Sequence, residues 1–217
     1  MKITIFGATG ATGRCLTEQA VAAGHQVTVV VRDPARLPVP AVPAGTAGTQ
    51  LRIITADIMD PAAIGPAVAG ADAVLSAVGP HGTGPTTVSQ DSVRAIIEAM
   101  QKSGARRLLT ISGSVVTDTG EGPLARYLLK PAVRAAMLRH VCADMRRAEE
   151  GVRGSGLDWT IIRPPRLTGR AATGRYRTAV DRNLPGGYTI SRADLAACML
   201  ALLGDDAVVR RHIAIAY

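Results

Sequence analysis

The residues in this 217-residue chain best suited to do chemistry are a glycine run and two arginines. Gly7-Ala8-Thr9-Gly10-Ala11-Thr12-Gly13 follows a short apolar run, Ile3-Thr4-Ile5-Phe6, and opens a helical pattern. That setting is what a pyrophosphate requires. The first glycine turns the chain sharply, the second lets backbone approach the phosphates, and the third lets the helix pack close to the strand. The helix N-terminus then offers free N–H groups and the positive end of its dipole. Thr9 and Thr12 add hydroxyl donors. The end of the second strand selects the nucleotide. An acid there would hold a ribose 2′-hydroxyl, whereas Arg32, with Arg36 one turn on, suits a 2′-phosphate. Asp33 could serve a 2′-hydroxyl, but its place before Pro34 makes it a helix N-cap. The expected cofactor is therefore NADPH (NADP) rather than NADH.

Further along, Asp57-Ile58 ends the third strand. An Asp there can accept from an adenine amino group while the next backbone N–H meets a ring nitrogen; the alternative is a loop-capping Asp. Ala77-Val78-Gly79 ends the fourth strand, where small residues let backbone pass close to a ribose.

These residues need elements to hold them, and the chain supplies a steady β-α-β rhythm. Apolar runs at 3–6, 27–31, 51–55, 73–78, 107–112, 159–163 and 212–216 read as strands. Helical patterns cover 14–23, 61–69, 86–103 and 191–203, with Gly24 stopping the first and Ser191 capping the last. Leu16, Ala20 and Ala23 form the apolar face of the first helix. Residues 38–50, rich in Pro, Ala and Gly, read as a surface loop. Residues 115–156 read as a loop and then helices, and 166–185 as an irregular segment rich in Arg and Gly. The expected fold is an α/β Rossmann-type, doubly wound, mostly parallel sheet with helices on both faces. All 217 residues form one domain in this reading, with the substrate side built from 80–90, 112–140 and 166–185.

Composition agrees. Apolar residues make up 47% and aromatics only 3%, so the core must be Ala, Val, Leu and Ile, which suits a buried parallel sheet. The net charge of +8 is carried by arginine, since Lys2, Lys102 and Lys130 are the lysines, and such a surface attracts anions. No basic stripe alternates with aromatics and no helix-turn-helix or zinc-finger spacing occurs, so no nucleic-acid partner is expected. Cys15, Cys142 and Cys198 are far apart and odd in number, which implies no disulfide framework and fits a reducing cytoplasm. The chain begins as a strand rather than a signal peptide, and no run of about 18 apolar residues could span a membrane. His81 and His140 stand alone, without metal-ligand spacing, and no metal is expected.

Taken together, IFGATGATG (5–13), VTVVVRDPARLP (27–38), GPTTV (84–88), SGLDWTIIRPPRL (155–167) and ISRADLA (190–196) resemble the atypical short-chain dehydrogenases/reductases. Within them the chain is most similar to the biliverdin-IXβ reductase/flavin reductase group. The resemblance implies a Rossmann fold, NADPH, and reduction of flavins or linear tetrapyrroles. Carried over residue by residue, it implies cofactor contacts from Gly7, Thr9, Gly10, Ala11, Thr12, Gly13, Arg32, Arg36, Asp57, Ile58, Ala77, Val78 and Gly79. It adds Ser112 near the nicotinamide and the backbone after Pro164-Pro165 at Arg166-Leu167. The group has a Thr-Ser pair after the fifth strand where this chain has Ser112-Gly113, with Ser114 one step later, and the segment 119–135 is longer here.

Many short-chain dehydrogenases place Tyr and Lys four apart on one helix face, so that the ammonium lowers the phenol pKa. Here Tyr127 and Lys130 are three apart and the fourth position is Pro131, which disturbs a helix. Chemistry without a tyrosine acid suits a flavin or conjugated tetrapyrrole, where stacking on the nicotinamide does most of the work. Ser112 is the catalytic candidate, orienting nicotinamide or substrate; a merely structural serine is the alternative. Arg166, Arg170, Arg175 and Arg177, with Tyr176, border the substrate side and suit an anionic small-molecule acceptor, or form a solvated basic loop. Two other functions stay open: an NADP(H) sensor without turnover, and a carbonyl reductase or epimerase using Tyr127. The expected assembly is a monomer or weak homo-oligomer.

Overall fold

Alternation of apolar side chains along β1 (Lys2–Phe6) already sets the layers: Ile3 and Ile5 enter one core, and Phe6 enters the other. A computed structural model describes residues 1–37, 51–117 and 139–217. After β1 come α1 (Ala11–Ala22), β2 (Gln26–Val31), β3 (Leu51–Thr55), α2 (Pro61–Val68), β4 (Ala73–Ser76), α3 (Val88–Ser103) and β5 (Arg107–Ile111). The chain continues with α4 (Arg139–Gly154), β6 (Asp158–Arg163), β7 (Arg166–Thr168), β8 (Arg177–Val180), β9 (Thr189–Ser191), α5 (Arg192–Ala201) and β10 (Arg211–Ala216). The loop expected at 38–50, and Tyr127, Lys130 and Pro131, lie outside the described residues.

Eight of the strands form one sheet in the order β3-β2-β1-β4-β5-β6-β10-β8. All are parallel except β8, which runs antiparallel along β10. The order reverses between β1 and β4, the switch point at which doubly wound sheets open a ligand crevice. Register makes this edge level. Phe6 pairs with Ser76, Ser76 with Thr110, Thr110 with Ile161, and Ile161 with His212. The loops that follow β1, β4, β5 and β6 therefore leave the sheet side by side.

Helices α1 and α5 cover one face over Ile5, Leu16, Leu75, Leu109, Ile162 and Leu195. Helices α2, α3 and α4 cover the other over Phe6, Val74, Ile96, Leu108, Trp159 and Ile161. Full burial of such side chains contributes about 2 kcal/mol each. Caps fix the helix ends. Gly24 and Gly104 take left-handed φ of 79° after α1 and at the end of α3, where a side chain would be strained. Asp60 accepts from the N–H groups of Ala62 and Ala63 to start α2.

Four expectations change. Helix α1 begins at Ala11, not Arg14, because Gly10 is its extended N-cap. Ala23 is exposed at the end of that helix, and the buried face runs through Leu16, Thr17, Ala20 and Val21. Strand β4 stops at Ser76, so Ala77, Val78 and Gly79 lie in the loop beyond it. Residues 166–185 are not irregular throughout: β7 pairs with β9 in a two-stranded parallel sheet, and β8 closes the main sheet's edge. Short strands of this kind show little hydrophobic period, because β8 presents only one half-buried residue, Ala179.

Candidate active site

The glycine loop is shaped by two close approaches. Gly7 has φ +81°, and a Cβ there would stand 2.8 Å from the Ala77 carbonyl group. The loops after β1 and β4 thus touch at the switch point. A Cβ on Gly13 would fall 2.0 Å from the Gly7 carbonyl oxygen, so only glycine lets α1 close on the loop. The Gly10 N–H donates to Gly7 O (3.0 Å), which folds the loop back on itself. Arg14 Nε donates to Thr9 O (3.2 Å), a bracing contact the sequence pattern did not single out.

The first helical bond of α1 is Arg14 N–H to Gly10 O (2.9 Å), and Gly10 brings no side chain to cap the turn. The N–H groups of Ala11, Thr12 and Gly13 precede it and have no intrahelical acceptor. No acid sits in that first turn. A bound phosphate fits both facts. One strand over, Asp33 Oδ1 accepts from Ala35 N–H (3.0 Å) and caps the turn Pro34–Arg36, as its place before proline implied. Arg32 and Arg36 are exposed and make no ion pair among the described residues. The residues therefore fit an anionic dinucleotide. Asp57 Oδ1 takes the Met59 N–H (3.0 Å), which leaves the second carboxylate oxygen for a ligand, and Ile58 is half-buried beside it. Ala77, Val78 and Gly79 are half-exposed along the crevice.

The far side of the edge is built differently. Ser112 N–H donates to Ile162 O (2.8 Å) and Ser114 N–H to Pro164 O (2.9 Å), which zips the ends of β5 and β6 together. The Ser112 hydroxyl is buried and has no partner in hydrogen-bond geometry among the described residues. It shares a cavity of about 10 Å³ with Thr110, Ser89 and Glu149, and stands near enough to the Glu149 carboxylate to help keep it ionised. Ten cubic ångströms is about the space one water needs.

Sequence reasoning missed the charged group behind this serine. Glu149 on α4 is 3% exposed and Arg163 at the end of β6 is 8% exposed. Arg163 donates from Nε to Oε1 (2.9 Å) and from Nη2 to Oε2 (2.5 Å). Burial pushes the Glu149 carboxyl up, but the doubly bonded guanidinium outweighs it and holds the group below its ordinary value. His212 Nε2 stands 3.8 Å from Glu149 Oε2, and its Nδ1 stands 3.5 Å from Asp181 Oδ1. Burial and the Arg163 charge push the His212 pKa below 6.5, so the ring is neutral at pH 7. Another buried carboxylate from α4, Asp144, accepts from the N–H groups of Ser89 and Gln90 (2.9 Å each) and caps α3 from outside.

Asp194 anchors the substrate-side segment. Sequence marked it only as the third residue after the Ser191 cap, and Ser191 Oγ does accept its N–H (2.9 Å). Its carboxylate also accepts from Thr173 N–H and Oγ1, Gly174 N–H, Ser191 Oγ and Tyr217 OH. Burial raises its pKa, but these donors, led by Tyr217, bring it to about 2. Asn183 Nδ2 donates to both Ser114 O (3.1 Å) and Thr117 O (3.3 Å) and joins the 112–117 and 181–188 segments. Of the four arginines expected at the substrate mouth, Arg177 is a structural tie, donating to Pro185 O and Tyr217 O. Arg166, Arg170 and Arg175 are exposed, and no acceptor for their guanidinium groups is present among the described residues. The Arg166 N–H is taken by Tyr188 O (3.2 Å), so what Arg166 offers a ligand is its side chain. Leu167 is half-buried in the β7–β9 pair and Pro164 is buried.

With this geometry in view, residues 7–206 match the model of an NAD(P)H-binding family. The chain belongs to that family. It is 30% identical to a (4-alkanoyl-5-oxo-2,5-dihydrofuran-3-yl)methyl phosphate reductase of Streptomyces griseus over 93% of its own length and 62% of the relative's. Among solved structures, a short-chain dehydrogenase/reductase of Veillonella parvula in complex with NADP aligns with TM-score 0.81 at 20% identity, covering 100% of this chain and 94% of the other. An anaerobillin reductase of Escherichia coli O157:H7, ChuY, aligns with TM-score 0.76 at 23% identity, covering 100% and 97%. The chain thus carries the Rossmann-type fold expected of it, shared with these reductases, within an NAD(P)H-binding family. Among the described residues no helix is long and apolar enough to cross a membrane, and no group of three His, Cys, Asp or Glu is placed to hold a metal ion.

Proposed function

We propose that this chain is an NADPH-dependent reductase that passes hydride to a flavin, a linear tetrapyrrole or a similar conjugated acceptor. The NADPH assignment is carried by one observation: Arg32 and Arg36 are exposed with no ion-pair partner among the described residues, while Asp33 between them holds the Ala35 N–H through Oδ1 as a cap. A 2′-phosphate gains charge-assisted bonds from such a pair, which a neutral 2′-hydroxyl does not. NADPH, when bound, supplies the hydride. Gly7, Thr9, Gly10 and the N–H groups of Ala11, Thr12 and Gly13 hold its pyrophosphate. Asp57 and Ile58 meet the adenine, and Ala77, Val78 and Gly79 line the path of the ribose.

The acceptor class is supported by the sequence resemblance and by the fold shared with an anaerobillin reductase. Ser112 in this reading orients the nicotinamide end from beneath, held by its backbone bond to β6. Such an acceptor is a good hydride sink, and water or its own carboxyl group can supply the proton. The reading also takes the 217 residues as one domain and the protein as cytoplasmic. The decisive experiment follows NADPH absorbance with FMN, riboflavin, biliverdin and a quinone. Oxidation with at least one of them is expected. Tight NADP+ binding without oxidation of NADPH by any acceptor would establish the sensor instead, the alternative that the inward-facing Ser112 hydroxyl favours.

A further inference from the structure

The chain has one Trp, four Tyr and one Phe, so each aromatic ring needs a use. Phe6 is fully buried, and Trp159 is 6% exposed, edge-on to His212 with ring centroids 5.2 Å apart. Tyr176 packs on the α1/α5 core with its hydroxyl toward Cys198, and Tyr217 gives its hydroxyl to Asp194. Tyr127 lies outside the described residues. Tyr188 is the exception among the described rings, at 68% exposure.

Its backbone is nonetheless fixed. Tyr188 O accepts the Arg166 N–H (3.2 Å), and the next residue, Thr189, accepts the Tyr217 N–H (3.1 Å). On the other side, a Cβ on Gly187 would stand 2.5 Å from Ala216 Cβ, so the chain enters Tyr188 pressed against the end of β10. A ring presented from a pinned backbone and left bare is placed for a ligand rather than for the core. The position agrees. β7 starts right after Pro164-Pro165 at the end of β6, and β6 lies three strand spacings, about 14 Å, from the β1 strand that leads into the glycine loop. Beside Tyr188 stands Arg166, exposed and without an acceptor for its guanidinium among the described residues.

We propose that Tyr188 is the stacking plate of the acceptor site and Arg166 its neighbouring counter-charge, together selecting a planar acceptor that carries an anionic group. The placement of the acceptor beyond the nicotinamide rests on the reductase reading above. The pair recognises a π-face on one residue and a phosphate or carboxylate on the other.

The test is made by binding as well as turnover. NADP+-loaded protein is titrated into FMN and into riboflavin while flavin fluorescence, which stacking on a tyrosine quenches, is followed. Wild type is expected to quench both and to bind FMN more tightly. Tyr188→Ala should weaken FMN about tenfold or more, Tyr188→Phe should stay within about twofold, and Arg166→Ala should remove the preference for FMN over riboflavin. NADP+ affinity reads the folding of the Tyr188 variants, and a thermal melt reads that of Arg166→Ala. Unaltered FMN binding by folded Tyr188→Ala, or no flavin binding by wild type, overturns the proposal. Quenching that depends on Tyr188 without NADPH oxidation upholds the plate and sinks the reductase reading, whereas flavin reduction indifferent to Tyr188 does the reverse.

Discussion

The two ends of the crevice are made by different means. At the β1–β2 end, geometry is set by backbone: three glycines, an uncapped helix start and one Asx-type cap, all within about thirty residues of sequence. At the β5–β6–β10 end it is set by buried charged side chains that meet across the fold, Glu149 with Arg163 and Asp194 with Thr173, Gly174 and Tyr217. The difference teaches where each kind of specificity can reside. A phosphate is recognised by N–H groups and arginines that any Rossmann protein can arrange locally. An acceptor is recognised by whatever a long-range side-chain scaffold holds at the mouth, which is free to vary.

The largest effect should come from breaking that scaffold. Removing Glu149 leaves a buried guanidinium without its partner, and Glu149→Ala should cost about 3–5 kcal/mol in chemical denaturation. Replacing both partners with apolar residues, Glu149→Leu with Arg163→Met, should cost less than the single change. A double variant that is worse than Glu149→Ala would show the pair to be a net source of stability. Where the single variant stays folded, its NADP+ affinity should remain close to wild type, because no cofactor contact passes through it.

The converse change is at the glycine loop. Gly13→Ala puts a Cβ 2.0 Å from the Gly7 carbonyl oxygen, and relief of that clash must open the loop. The expected cost is about 1–3 kcal/mol of stability, with NADP+ binding by calorimetry weakened at least about tenfold. Binding at wild-type strength would mean that the loop is not the phosphate cradle.

That contrast also explains what was legible in the sequence. The glycine loop, Arg32, the Asp33 cap and the parallel strands can be read because each depends on neighbours close along the chain. The sequence pattern matches β3 to the residue and β6 to within one. Glu149 and Arg163 could not be paired from sequence, since 14 residues and a helix–strand crossing separate them and nothing in their own neighbourhoods marks burial. The sole available signal was an arginine at the end of an apolar strand, where a charge needs a buried partner. Asp194 was visible as a cap residue and not as an anchor, because its donors come from residues 173, 174 and 217. Strands β7, β8 and β9 escape the sequence pattern because each is only three or four residues long, too short to show a period.

A smaller effect is the pH response of the same scaffold. Asp194 has a folded pKa of about 2 against an ordinary 3.8, so its contribution to stability is full above about pH 4 and is lost as pH falls toward 2. His212 is also depressed, below 6.5, and being a base it penalises folding once the unfolded ring begins to protonate. Thermal melts should therefore fall gently below pH 6.5 and more steeply below pH 4. Asp194→Asn should flatten the second fall, and His212→Gln the first. A wild-type curve level from pH 7 to pH 3 would remove both groups from the account.

Under the NADPH proposal, cofactor choice is made at the β2 end by Arg32 and Arg36. It is tested most directly by measuring NADPH and NADH dissociation constants side by side for wild type and Arg32→Ala. Wild type should prefer NADPH. The variant should lose about 10- to 100-fold in NADPH affinity, the worth of a charge-assisted bond, while NADH binding changes little. Equal losses for the two nucleotides, or none for either, would contradict the assignment of the 2′-phosphate to this arginine.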